Sequence, residues 1–169
     1  GADFSPTAVA QANQRLAEHP GWKGAQVLGG ERLPWPDGTF DVITCLETLE
    51  HVIPCRLSPM LSELRRALKP GGHLFVTTPH AEDLEVSAIV CPECGCVFHR
   101  SQHVRSFTKD SLQRLMVDHG FATSHCNTTN FDYFQAPGWP GWLNITPKRV
   151  IRWGWYWGCL TLDVLRIPG

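Results

Sequence analysis

Between residues 5 and 16 the apolar positions Val9, Ala12 and Leu16 recur at helical spacing. Ser5 supplies a hydroxyl cap and Pro6 suits the first helical position, so the pattern predicts a helix that runs out near His19-Pro20-Gly21. Gln26-Val27-Leu28 reads as a short buried strand ended by Gly29-Gly30, and residues 33–38 are turn chemistry throughout. The apolar run from Phe40 to Leu46 is what a strand covered on both faces requires. Pro59 behind Ser58 opens a second predicted helix, with Leu61, Leu64 and Leu68 on one face and a stop at Lys69-Pro70-Gly71-Gly72.

His73 to Thr78 is the next predicted strand, ended by Pro79, and residues 80–107 read as irregular. Thr108 to His119 is a helix stopped by Gly120, and Phe121 to Thr128 a strand. The alternation of helix and strand implies crossovers and a parallel, helix-covered sheet, an α/β fold. From Trp139 the composition changes, with five of the seven tryptophans between Trp139 and Trp157. There Thr146-Pro147 can cap a helix carrying Val150, Ile151, Trp155 and Leu160. Arg152, Asp163 and two glycines make this segment a poor membrane span. The expected organisation is an α/β domain over residues 1–135, with an insertion at 80–107, and a Trp-rich segment over 136–169.

Composition narrows the class. A chain of 169 residues suits one domain with a full core. Its 43% hydrophobic content excludes disorder, and its 18% charged content, below the ~25% of an average domain, implies surface that is covered in the native state. A net charge of -1 offers no basic stripe for phosphates, so nucleic acid is not an expected partner. Seven cysteines, three of them crowded between Cys91 and Cys96, do not make a disulfide framework, which points to a reducing, cytoplasmic setting. The chain opens on Gly1-Ala2-Asp3 without Met and reads as a piece of a longer one.

Four stretches together resemble a known family. Gly1-Ala2-Asp3-Phe4-Ser5-Pro6 is similar to the end of the second strand in class I SAM-dependent methyltransferases, where a carboxylate grips the ribose. Residues 33–43, Leu68-Lys69-Pro70-Gly71-Gly72 and the apolar strand behind it resemble later junctions of the same family, over residues 1 to about 125. The resemblance implies a Rossmann-like sheet with helices on both faces, lacking the first strand and its glycine loop, so that this chain alone is expected to bind SAM poorly. It implies cofactor contacts from Asp3, Phe4, Gly30, Glu31 and Leu46. Physically, an open α/β sheet binds ligands at the carboxyl ends of its strands, where Asp3 can accept two hydroxyl hydrogen bonds or merely cap the helix behind it. Where the family often carries an acidic residue for the adenine, this chain has Gly29, which leaves Glu31 or backbone near Gly30.

Glu47-Thr48-Leu49-Glu50-His51 follows the predicted strand at its carboxyl end, where the reaction should occur. In a helix, residues 47, 50 and 51 would share one face, and two carboxylates with an imidazole suit a divalent cation. This E-x-x-E-H pattern is similar to ubiquinone-pathway O-methyltransferases and to small-RNA 2′-O-methyltransferases. Resemblance to the latter adds His103 and implies Mg, Mn or Zn held by Glu47, Glu50, His51 and His103. Such an ion would lower the pKa of a substrate hydroxyl and aim its oxygen at the methyl group. Without a metal, His51 would instead be a general base or a polar wall of the active site, with Glu47 beside it.

Cys91-x2-Cys94-x4-His99-x3-His103 is a competing cluster, since thiolate and imidazole at such spacing suit tetrahedral zinc. Both full sites cannot use His103 at once. The Trp-rich tail, flanked by Lys148, Arg149 and Arg152, suits packing on the sheet, a dimer contact, or a peripheral membrane contact. The leading expectation is a SAM-dependent methyltransferase acting on an oxygen, less readily a nitrogen or carbon, of a small molecule. The contrasting one is an inactive methyltransferase-like module whose zinc knuckle binds protein. Substrate identity and oligomeric state leave no mark in the sequence.

Overall fold

Ser5 caps the first helix as its position in the sequence requires, its Oγ accepting from the Ala8 amide at 3.2 Å. The computed structural model describes residues 1–30, 32–129 and 160–166. Helix α1 spans Pro6–Leu16 and buries Val9. It packs beside two short strands, β1 (Ala2–Asp3) and β2 (Gln26–Val27), which pair in parallel. The structure corrects the burial expected of Gln26–Leu28, because Val27 stays exposed on a sheet that has two strands among the described residues.

Strand β3 (Phe40–Leu46) pairs in parallel with β4 (Leu68–Pro79). Only one face of β3 is covered: Cys45 enters the core, whereas Val42 is 56% and Leu46 51% exposed. Its apolar run therefore does not mark burial on both faces among the described residues. The connecting helix α2 runs Pro54–Ala67, one turn earlier than the Ser58-Pro59 pair predicts. Pro54 takes the first turn, where no amide partner is lost, and Pro59 sits inside. An interior proline forfeits one backbone bond, typically about 3 kcal/mol, and the buried face of Leu57, Leu61, Leu64 and Ala67 offsets it. Leu68, assigned by its spacing to this helix, begins the strand instead. Register shifts after Phe40, where Gly72 lies so close that a Cβ would meet the Lys69 carbonyl at 2.9 Å and that of Asp41 at 3.1 Å.

Helix α3 (Lys109–Asp118) has a reciprocal cap between Thr108 and Ser111, and ends at Gly120, whose φ of 80° lets Phe121 donate back to Met116 at 3.0 Å. It leads into β7 (Ala122–Thr129). The strand that finishes the sheet is one that periodicity assigns to a tail helix. Residues Leu160–Arg166 form β8, inserted antiparallel between β4 and β7, so the sheet order is β3-β4-β8-β7. The sheet is accordingly mixed rather than parallel. The remainder of the proposed tail helix, and all five tryptophans between Trp139 and Trp157, lie outside the described residues. The core joins α2 and α3 to one sheet face through Leu49, Leu61, Leu74, Val76, Leu112 and Met116.

Residues 80–107 are also more ordered than predicted. A bridge between His80 and Phe107 closes their base, and β5 (Ala88–Val90) pairs with β6 (Val97–His99) as a hairpin. Among the described residues no helix is long and apolar enough to cross a membrane.

Candidate active site

Two backbone bonds shape the turn behind β3. His51 donates to the Thr48 carbonyl at 3.0 Å and Val52 to that of Leu49 at 3.4 Å. The segment is thus a run of turns and not the helix on which its ligand spacing was argued. Glu47 adopts a φ of 45°, uncommon for a residue with a Cβ. Its amide is pinned to the Thr77 carbonyl at 2.9 Å. This bend turns the Glu47 carboxylate inward, where both oxygens are buried without a hydrogen bond. Burial raises its pKa above the usual carboxylate range and Glu50 adds to the rise, while Thr77 and His103 act in the opposite sense.

Glu50 is 1% exposed. One oxygen accepts from the Thr78 hydroxyl at 3.1 Å; the other has no hydrogen bond and lies 3.9 Å from Nε2 of His51. His103 arrives from the far end of the 80–107 segment, anchored by the Val104 amide on the Glu50 carbonyl at 2.8 Å. Its ring meets that of His51 edge-on, centroids 4.7 Å apart. One ligand atom each from Glu50, His51 and His103 lie within 4.8 Å of one another. Three of the four residues in the sequence-derived metal set therefore converge. Glu47 stands outside that tight group but faces the same charges.

The cysteine-containing set is not brought together. Pairing of Ala88 with His99 puts His99 at the base of the hairpin, while Cys91 and Cys94 sit at its tip. At about 3.3 Å per strand residue the two ends are separated. No three-ligand group among the described residues contains a cysteine. His99 and His103 turn instead to Glu82, with Nε2 of His99 3.4 Å from one oxygen and Nδ1 of His103 2.5 Å from the other. Burial lowers the pKa of His99. Glu82 has no motif around it, and sequence reasoning missed it for that reason.

A cavity of about 530 Å³ opens beside His51. Phe4, Leu28, Gly29 and Gly30 line it from the β1–β2 side, and Thr48, Val52 and Met60 from the other. Phe4 and Gly30 thus stand where a cofactor is expected. Asp3 and Leu46 are not among the lining residues. One oxygen of Asp3 accepts from the Ser5 amide at 2.7 Å, while the helix cap is Ser5. Glu31 lies outside the described residues.

The fold recurs in solved proteins. A SAM-dependent methyltransferase from Methanosarcina mazei superposes with a TM-score of 0.66 at 16% identity, over 99% of this chain and 81% of that one. A Burkholderia thailandensis N-methyltransferase, solved with S-adenosylhomocysteine, superposes at 0.58 with 16% identity over 99% and 60%. By sequence, a ubiquinone/menaquinone C-methyltransferase of Geobacter sulfurreducens is 36% identical over 78 residues, 45% of this chain and 30% of that protein. A ubiquinone O-methyltransferase of Vibrio parahaemolyticus is 51% identical over 41 residues, 24% of this chain and 17% of that protein. The matches span less than a third of either relative. A family model described as a methyltransferase domain matches residues 1–125.

Proposed function

The chain belongs to the methyltransferase domain family, with the Rossmann-like fold of SAM-dependent methyltransferases, and on that premise we propose that it serves the transfer of the SAM methyl group to a hydroxyl oxygen of a small molecule, with a divalent cation at the site. The observation that carries the proposal is the convergence of Glu50 and His103 on His51, which lines the cavity together with Phe4 and Gly30. The similarity to a ubiquinone O-methyltransferase favours oxygen as acceptor, while the C-methyltransferase relative marks carbon as the competing choice. A cytoplasmic setting accords with the cysteine content.

Orphaned buried oxygens test the fit of a cation. Glu50 Oε1 and both oxygens of Glu47 are buried without a hydrogen bond, an arrangement whose cost a positive ion would reduce. Glu50, His51 and His103 would hold it, with Glu47 beside them, and the mixed carboxylate–imidazole set suits Mn or Zn better than Mg. A cation there would lower the pKa of a bound hydroxyl, and SAM supplies the electrophilic methyl. Phe4 and the Leu28–Gly30 segment would hold the cofactor's nucleoside side, and Asp3 would offer an oxygen to a ribose hydroxyl. Without the cation, His51, 41% exposed where the turn meets the cavity, would instead take the hydroxyl proton as the acceptor oxygen bonds to the methyl carbon and the methyl–sulfur bond of SAM breaks, releasing S-adenosylhomocysteine. The apolar walls Leu28, Leu33, Val52 and Met60 exclude water from the reacting pair.

Titration calorimetry with SAM, followed by transfer of labelled methyl to phenolic acceptors before and after EDTA, tests this reading. Saturable SAM binding and EDTA-sensitive transfer to oxygen are expected. Transfer insensitive to EDTA would remove the cation, and no SAM binding by the full-length protein would remove the enzyme and favour a binding module.

A further inference from the structure

We infer that Glu82 and His99, which take no part in the chemistry above, form a polar relay, with a hydrogen bond between Glu82 and His103 and an electrostatic contact between Glu82 and His99, that fixes the tautomer of His103, leaving its Nε2 lone pair for the Glu50–His51 group. The inference deepens the reading under Proposed function and rests on it for the cation, though not for the tautomer.

The relay begins at backbone amides, which can only donate. The Ser101 and His103 N–H groups point to Nδ1 of His99 at 3.3 and 3.2 Å. Nδ1 must therefore present its lone pair, and the single proton of the neutral ring sits on Nε2. That N–H faces Oε1 of Glu82 at 3.4 Å, an electrostatic contact longer than a good hydrogen bond. Oε2 of the same carboxylate lies 2.5 Å from Nδ1 of His103. An ionised carboxylate only accepts, so the proton of the second ring sits on Nδ1. Nε2 of His103 is left as the nitrogen with a lone pair.

Two packing contacts hold the relay. The His99 ring stacks on His103 with centroids 4.6 Å apart and planes at 22°. The Val104 amide ties the same loop to the Glu50 carbonyl at 2.8 Å. Glu82, His99 and His103 also place ligand atoms within 4.8 Å of one another, as a second cation site would. The two amides on His99 Nδ1 argue against that use: a cation on Nε2 would require a ring carrying no proton at all. Carboxylates that receive the distal N–H of a ligating histidine orient it and raise its basicity. Glu82 is accordingly a positioning residue.

Long-range proton–nitrogen NMR correlation of the histidine rings in the full chain, without metal, reads the tautomers directly. His99 is expected as Nε2–H and His103 as Nδ1–H; His103 as Nε2–H overturns the relay. In Glu82→Gln the side-chain amide cannot accept from both rings, and His103 is expected to move toward Nε2–H. An unchanged His103 in that variant likewise overturns it, and should the variant not fold, the wild-type tautomers decide. Titration with Co(II), followed by visible absorption, should show binding weakened by about 10–100-fold in Glu82→Gln, with partial recovery in Glu82→Asp. Equal affinity in wild type and Glu82→Gln would count against the relay. If the wild type binds no Co(II), the cation reading fails and the ring tautomers alone judge the relay.

Discussion

The Thr78 hydroxyl donates to the Glu50 carboxylate at 3.1 Å, so the end of β4 holds the turn that follows β3. Both residues are essentially sealed from solvent, and this bond is the Glu50 side chain's sole hydrogen bond among the described residues. Thr78→Val keeps the shape and strands the oxygen. The expected cost is about 1–3 kcal/mol, read as a fall of about 2–4 °C in Tm per kcal/mol, whereas Thr78→Ser should stay near wild type. Thermal melts of the two variants decide it, and a Thr78→Val melt unchanged from wild type would contradict the role given to this bond.

Glu47 illustrates the opposite sign. Its carboxylate is buried without a hydrogen bond, on a backbone held at a φ of 45°. Glu47→Gln removes the charge at nearly constant volume and should stabilise the fold at pH 7 by roughly 1 kcal/mol. The same change should weaken Mn(II) or Co(II) binding and methyl transfer by at least tenfold, as changes beside a metal centre commonly do. Melting and metal titration on one sample check both halves, and a variant less stable than wild type would refute the first.

Arg66 binds the 33–37 turn to helix α2. Its guanidinium reaches both Glu63 oxygens, at 2.9 and 2.8 Å, and Asp37 at 2.7 Å. It also donates to the Trp35 and Leu33 carbonyls, at 2.9 and 3.3 Å. The Arg66 hydrogen bond holds the pKa of Glu63 below the usual range. A depressed carboxyl pKa contributes stability that is complete above the ordinary Glu value of about 4.3 and is lost as pH falls through the lower folded value. Arg66→Ala should therefore lower Tm at pH 7, by on the order of 2 kcal/mol of stability. It should also shrink the difference between melts at pH 7 and pH 3. Parallel acid dependence of the two proteins would show that the clamp is not its source.

The cysteines should react in a set order. Cys94 is exposed at the hairpin tip, and donors from Cys96 and then Cys91 lower its pKa. Burial pushes Cys45 up to about 11. Brief iodoacetamide treatment of the native protein at pH 7.5 should label Cys94 and spare Cys45, with labelling of Cys45 only after unfolding. Peptide mapping reads the order, and early modification of Cys45 would contradict its place in the core.

Local chemistry was legible where local chemistry decides. Ser5, Thr108 and Gly120 act at the helix ends where their types put them, because capping depends on neighbours within four residues. The opening of α2 misled, since Ser58-Pro59 has the form of a helix start while tertiary burial of Leu57 extends the helix a turn earlier. The E-x-x-E-H pattern placed Glu47, Glu50 and His51 on one helical face, whereas consecutive turns bring Glu50 and His51 together with His103 and leave Glu47 outside the tight group. His103 entered by family resemblance, and nothing near Glu82 distinguished it from a surface carboxylate.

The sequence by itself determined the class of the fold, its helix caps and the residue types able to meet at the end of β3. Those features rest on spacing and composition, which act over a few bonds. Only the tertiary structure decided that Leu160–Arg166 complete the sheet between β4 and β7, and that His99 and His103 turn to Glu82 and away from the cysteines. Strand insertion and imidazole direction are set by contacts between residues tens of positions apart, and no period along the chain encodes them.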